Sequence, residues 1–566
     1  MLAVEKFRNY FNNKYLKYFL VFIFFIFLFS ILYFSVPSII SLDDPLFHIK
    51  YAKLIREKGL EVINNFQWIY YSVQARSGGR YYVSLFNFIL IPFTYFSELW
   101  QGIKYWGVFS ASLIMLCLYW WFNKLKFKYP FLILLFFWSL APELFTWRIF
   151  LARPLVVMIF LVMLEIYFIW QKKYLAVIIL SILHIFVHSY TFYLPGFLIG
   201  VFVVFDLLHQ KKFDFKLIIS GGAGFILGMM TMPAWPQNII IWFKQLLAIY
   251  QSVWQKNEVF IPEGGELYGR NLFDFFYTNY LFIAILMFFI LLRVIFYIIK
   301  AREKSTNLDR IKFFDVDNQL LVLIDSLFFL NIIFLIGYFF SGRVLDFWIP
   351  LAIIFIALMF KITFKQLRFA FKEPQVFRKT LIVFIVIILL YLTASRSLSL
   401  NRTMANAAPV NIFQGAGEWL ANDTKDGEII FIDNWSNFTG LFYFNDRDYY
   451  IMGMEPRFLY DYDRRLYLSW YNLTYLGVPC DQIDCQEWID KIKDKDYKEI
   501  GKIIGQDIAL MISNEFKSRQ IVTSVYNSNL TLIMKNSEYF NEVYNDPKYQ
   551  AISIFEINLD KLNKSS

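Results

Sequence analysis

Charge is scarce in this chain. Only 18% of its residues are Asp, Glu, Lys or Arg, against 58% hydrophobic and 21% aromatic, and the mean hydropathy is +0.47. A water-soluble core has no use for so much apolar surface, so the 566 residues do not read as the series of soluble domains that such a length would otherwise suggest. Cysteine is scarcer still, and three residues cannot supply a disulfide framework. Cys117 lies in an apolar run; Cys480 and Cys485 either pair, which requires an oxidising compartment, or stand as two thiols. Internal repeats and low-complexity tracts are missing. No cleavable signal is evident: Lys6, Arg8, Lys14 and Lys17 precede an apolar run that is too long for a signal core and lacks a small-residue cleavage site, as in a signal anchor.

What the chain has is long apolar runs, and about 20 such residues cross a hydrocarbon core of roughly 30 Å. About eleven spans are expected, over 18–37, 104–122, 129–146, 154–170, 174–190, 192–208, 216–233, 275–299, 319–340, 345–361 and 379–396. The segment 82–96 is barely long enough and is interrupted by Pro92; counting it would make twelve. The formal charge of +10 comes from basic residues between the apolar runs rather than from one basic surface, which argues against a nucleic-acid partner and for the retention of Lys and Arg on the inner side. With the N-terminus inside and 82–96 not crossing, Lys124, Lys126 and Lys128, Lys172 and Lys173, Lys211, Lys212 and Lys216, and the stretches 300–312 and 361–379 all fall inside. Counting 82–96 as a span would reverse most of them.

This topology places four segments outside: 38–103, 147–153, 234–274 and the end of the chain. The joints near His188 and at 341–346 open to the same side. From about residue 398 the apolar runs shorten to strand length (EIIFI, YYIMG, IALMIS, TLIMK, AISIFEI) between polar helix-like segments at 411–422 and 485–500, a pattern of α/β or α+β type. The expected architecture is a polytopic α-helical membrane domain over 1–397 and an extracytoplasmic soluble domain over 398–566, in a multi-pass protein of the cytoplasmic membrane.

Candidate chemistry gathers on the outer side. Asp43 and Asp44 follow the first span and open an amphipathic helix; Asp44 suits its N-cap, Pro45 its first turn and Gly59 its end. His48, four residues from Asp44, shares its face. Such a pair either caps a helix at the membrane surface or acts chemically. It would then take a proton from an acceptor hydroxyl or amide, or hold a divalent cation such as Mg or Mn through oxygen ligands, with Glu263 or Glu266 of the stretch PEGGELYGR as a further candidate. Arg148 and Arg153 either snorkel to lipid headgroups or clamp a phosphate. His188 ends its span as an interhelical hydrogen-bonding group or as a functional ionisable one, while His184 reads as structural. Arg343 and Asp346 either pair with each other or bind phosphate or sugar.

A first span followed by an outer loop with Asp43-Asp44-Pro45-Leu46-Phe47-His48 and an interfacial helix resembles the GT-C superfamily of membrane glycosyltransferases, which includes the oligosaccharyltransferase catalytic subunit and the protein O-mannosyltransferases. The resemblance implies an inverting transfer of a sugar from a polyprenyl-phosphate carrier on the outer face of the membrane, with the catalytic acid in the first outer loop, here Asp43 and Asp44. Arg148, Arg153, His188 and Arg343 would hold the carrier phosphate, with Asp346 beside them. In the end domain, Asp433-Asn434-Trp435-Ser436-Asn437-Phe438 resembles the Trp-Trp-Asp-Tyr-Gly region of oligosaccharyltransferases, but only Trp435 matches: Ser436 stands where that family has Asp and Asn437 where it has Tyr. Recognition of a peptide sequon is therefore not expected. The expected partners are the polyprenyl-phosphate-sugar donor, membrane lipids and an extracytoplasmic acceptor. A transporter or flippase would instead need an internal repeat and ionisable groups deep in the membrane, and a non-catalytic envelope scaffold would depend on its end domain.

Overall fold

The computed structural model describes residues 14–76, 84–233, 235–240, 242–244, 247, 260–262, 272–306, 317–370, 375–524 and 528–565. Two compact units emerge. One comprises residues 1–40, 104–231 and 266–407, the other 41–103, 232–265 and 408–566.

The first unit is helical. Among the described residues, six helices are long and apolar enough to cross a membrane: Lys14–Phe34, Leu99–Lys124, Ser189–Gln210, Asn279–Ile299, Asn318–Phe340 and Gly342–Thr363. Shorter apolar helices, Pro130–Leu140, Pro154–Trp170, Tyr174–Val187 and Phe215–Thr231, occupy other expected runs, and the run 379–396 lies inside Gln375–Ala405. The expected span 129–146 is not one helix. It stops at Leu140 and resumes as Glu143–Arg148, because Pro142 cannot donate into a continuing helix. Helices Tyr174–Val187 and Phe215–Thr231 pack closely. A Cβ on Gly224 would come within 2.6 Å of the Ser181 Cβ, and one on Gly228 within 2.8 Å of the Ile185 Cδ1, so small residues set their approach.

The second unit joins the first loop to the C-terminal region. Its sheet has the order β2-β1-β3-β5-β4, with β1 Ile429–Ile432, β2 Tyr449–Tyr450, β3 Gln520–Ser524, β4 Phe540–Asn545 and β5 Ile552–Ile557. Strands β1, β2 and β3 run parallel, while β5 is antiparallel to both β3 and β4. Loop residues 68–71 extend the β2 edge. Tyr450 N donates to Trp68 O at 2.8 Å, Tyr70 N to Tyr450 O at 2.8 Å and Tyr71 N to Ile451 O at 3.3 Å. Phe47, Tyr51, Phe66 and Trp68 enter the same apolar core as Phe438, Phe442 and Tyr450. Of the segment 82–96, the described residues from 84 onward hold a short helix, Leu85–Leu90, and a 3-10 turn, Ile91–Thr94. At 1.5 Å per residue this stretch reaches about half the thickness of a hydrocarbon core.

Two expected strands are helices. IALMIS lies within Tyr497–Asn514 and TLIMK within Ser528–Lys535. The first run is the end of an apolar stripe, Ile500, Ile504, Ile508 and Ile512, all buried, whose spacing of four belongs to a helix. The strands QIVTS and FNEVYN take the vacant places. Cys480 and Cys485 form a disulfide.

Candidate active site

In the second unit the acid pair stands at the start of helix Asp44–Lys58. Asp43 is the N-cap and Asp44 the first helical residue, so the cap lies one position earlier than the expected cap at Asp44. Asp43 is exposed and Asp44 half-buried, while the nine positions from Pro45 to Lys53 are buried except Lys53. The pair is thus an accessible edge on a fixed helix. Ser41 Oγ donates to Asp43 Oδ2 at 3.4 Å, and Asp43 N donates to Ser41 Oγ at 3.3 Å. His48 is buried edge-on between Phe86 and Phe47, with ring centroids at 5.1 and 5.2 Å, and this aromatic packing positions the helix. Thr439 Oγ1 donates to Leu42 O at 2.9 Å, which ties the approach to Asp43 to helix Asn437–Phe444. Lys50 Nζ lies 2.9 Å from Asp446 Oδ1. Burial pushes the Asp446 carboxyl up, but Lys50 and Lys58 outweigh it and hold the group below its usual range.

Trp435 follows β1, half-buried in the turn before helix Asn437–Phe444. Asp433 sits at the carboxyl end of β1, where the chain leaves for β2 on one side while β3 pairs on the other, the switch point at which such sheets form crevices. Its Oδ2 accepts from Ser524 N at 2.9 Å and its Oδ1 from Asn437 Nδ2 at 3.2 Å. Complete burial nevertheless pushes its carboxyl up to about 8.

In the first unit residues 148–152 of the joint are buried, with Trp147 and Arg153 half-buried at its ends. Gly107 permits this, since a Cβ there would stand 2.5 Å from Phe150 O. Ser110 Oγ donates to Ile149 O at 3.2 Å and Trp106 Nε1 to Leu151 O at 3.3 Å. Arg148 is only 4% exposed and does not snorkel. Its Nε donates to Asp346 Oδ1 at 2.8 Å and its Nη2 to Asp346 Oδ2 at 2.6 Å. Asp346 is thereby paired with Arg148 rather than with its neighbour Arg343. Arg148, Arg153 and Asp346 line one small cleft with Leu151, Leu155, Val156 and Ile159. His188 caps the 3-10 turn Ser189–Thr191, and Arg343 lies in the turn Gly342–Val344.

Several groups escaped the sequence reading. Glu143 accepts from Arg396 Nη1 at 3.2 Å, Ser399 Oγ at 3.1 Å and Thr403 Oγ1 at 2.8 Å. Buried ionisable groups also lie within the apolar helices. Asp325 meets His209 Nε2 at 2.6 Å and Arg293 Nε at 2.7 Å, and Asp206 meets Lys172 Nζ at 2.8 Å. Polar groups therefore do not gather only at the outward joints. Single acids inside long apolar runs leave the hydropathy unbroken, so nothing in the runs revealed them. Among the described residues no three His, Cys, Asp or Glu side chains converge as a metal site; the candidate ligands Glu263 and Glu266 lie outside the described residues.

The sequence matches no family model and no curated protein. Among solved structures, the fold matches the crystal structure of the Archaeoglobus fulgidus oligosaccharyltransferase tethered to an acceptor peptide with an NVT sequon. The TM-score is 0.53 at 10% identity, over 98% of this chain and 75% of that one. At such identity the likeness is one of fold, and it embraces both units. The chain is accordingly a helical membrane protein with a C-terminal mixed five-stranded sheet, and it has the fold of that archaeal oligosaccharyltransferase.

Proposed function

We propose that the chain is a membrane glycosyltransferase that moves a sugar from a polyprenyl-phosphate-linked donor to an acceptor outside the cytoplasm. The observation that carries this reading is the fold match over nearly the whole chain. Asp43 or Asp44, accessible on the fixed edge of helix Asp44–Lys58, takes the proton from the acceptor as the new glycosidic bond forms. Attack from the face opposite the carrier phosphate breaks the bond between the anomeric carbon and the phosphate oxygen, releases the carrier phosphate with that electron pair and inverts the sugar. Arg153, and Arg148 within the limits of its pairing with Asp346, neutralise the carrier phosphate, with His188 and Arg343 as further donors. Asp43 and Asp44 would be the residues to hold a Mg or Mn ion, which would offset negative charge on the donor. Trp435, at the carboxyl end of β1, offers an aromatic face to the acceptor.

The inner placement of the basic loops supports an N-terminus in the cytoplasm. The Cys480–Cys485 disulfide supports a C-terminal region in an oxidising compartment. The test is Asp43→Asn and Asp44→Asn, singly and together, followed by profiling of surface glycans in cells that depend on the variant. Loss of one glycan class in the double variant, with the protein still in the membrane, is the expected result. Unchanged glycans would remove the catalytic assignment.

A further inference from the structure

Lysine stands in the left-handed backbone region at three turns of the first unit: Lys126, Lys172 and Lys211, at φ 55°, 53° and 56°. Two of these turns carry the paired bonds that commonly end a helix at glycine. Phe127 N donates to Phe122 O at 3.0 Å and Lys126 N to Asn123 O at 2.9 Å, while Lys173 N donates to Phe168 O at 2.9 Å and Lys172 N to Ile169 O at 3.0 Å. At that position a Cβ crowds a carbonyl oxygen, a cost that glycine escapes. The three turns lie together. Lys124 Nζ stands 5.7 and 5.5 Å from the ring centroids of Trp120 and Tyr167, so the first turn meets the helix that feeds the second. Lys172 Nζ lies 2.8 Å from Asp206 Oδ2 and 3.5 Å from Asp214 Oδ2, which joins the second turn to the third.

Within 122–129, 171–174 and 209–216 the one acid is Asp214, and Lys172 and the Tyr174 hydroxyl engage it. The outward charge of these turns is therefore cationic, with Lys124, Lys126, Lys128, Lys173, Lys211 and Lys212 all exposed. Tyr129, Phe213 and Phe215 are exposed among them, as are Leu175, Leu208 and Ile218 on the adjoining helices. We propose that this face binds the headgroups of anionic phospholipids, with the ammonium groups on phosphate and the aromatic rings among the upper acyl carbons. Sidedness alone asks only for basic residues somewhere in a loop; it does not ask for them where glycine fits better. The apolar flank beside the lysines favours a lipid surface over an acidic protein or a nucleic acid, either of which would leave that flank bare. Such binding holds whether or not the chain transfers sugar.

With the full-length protein in mixed micelles, phosphatidylglycerol should raise the unfolding midpoint saturably and less at high salt, whereas phosphatidylcholine should not. Lys172 stays in place because it holds Asp206 and Asp214. K126G and K211G should fold, since glycine suits the left-handed position, and each should weaken the affinity for phosphatidylglycerol about fivefold. K126R and K211R should keep it. K128Q and K173Q, at positions outside the left-handed region, give the same readout should a glycine variant fail to fold. An equal response to both lipids, an unchanged affinity when these lysines are replaced, or the same midpoint shift from soluble polyglutamate would overturn the proposal.

Discussion

The pairing of Arg148 with Asp346 gives the sharpest test of how the first unit is held together. The side chains are 4% and 2% exposed, and two parallel hydrogen bonds of 2.8 and 2.6 Å join them. Solvent screening, which reduces surface pairs to about 0–1 kcal/mol, does not apply at that burial. Removing one partner leaves the other charge buried and uncompensated, at about 3–5 kcal/mol. Arg148→Met or Asp346→Leu alone should therefore lower the unfolding free energy by about that amount. Both together restore an apolar contact between the Gly342–Thr363 and Glu143–Arg148 helices and abolish both unpaired charges. The double variant should lie within about 2 kcal/mol of wild type, not at the sum of the single losses. The assay is reversible unfolding in mixed micelles, following tryptophan fluorescence as denaturing detergent is titrated, for the wild type and the three variants. Single losses under about 1 kcal/mol, or a double loss equal to their sum, would refute the claim that this pair is dry and tightly coupled.

Asp433 makes a pH prediction. Its carboxyl, pushed up to about 8 by burial, keeps a proton in the folded state that the unfolded chain releases near 3.9. Its contribution to stability is thus full below the unfolded value and is lost as pH rises toward the folded one. Unfolding midpoints should fall between pH 6 and 8 by the equivalent of about 1.4 kcal/mol per pH unit, and D433N should flatten that slope; an equal slope in D433N would contradict it. Replacing Cys480 and Cys485 by Ser opens a loop with a sequence separation of 5, which costs about 2 kcal/mol by chain entropy. Calorimetry with and without reductant measures that loss. Gly107→Ala sets a methyl 2.5 Å from Phe150 O. It should destabilise the protein by about 1–3 kcal/mol and reduce sugar transfer by displacing the 147–153 joint, as read from unfolding midpoints and glycan yield.

Much of the outline is legible in the chain. Apolar runs near 20 residues require a membrane and, with the backbone satisfied internally, helices. Pro45 and Gly59 bracket the helix after the acid pair almost to the residue, because steric and capping rules act over a few positions. EIIFI and AISIFEI are strands as expected. Where local rules compete, the reading slips. IALMIS satisfies strand length and helix periodicity alike, and only its continuity with Ile500 and Ile504 on one buried face decides for the helix. The continuous run 129–146 likewise concealed the break at Pro142.

The sequence by itself determined that this is a helical membrane protein, where most of its helices begin and end, and that two acids stand at the head of the first loop helix. Only the tertiary structure decided that Arg148 binds Asp346 across 198 positions, that loop residues 68–71 continue the sheet at β2, and that the turns at Lys126, Lys172 and Lys211 lie together. Periodicity and propensity record which face of a segment is apolar. The choice of partner among remote segments depends on shape and on the cost of leaving a buried polar group unmet, and neither is written in any short stretch of residues.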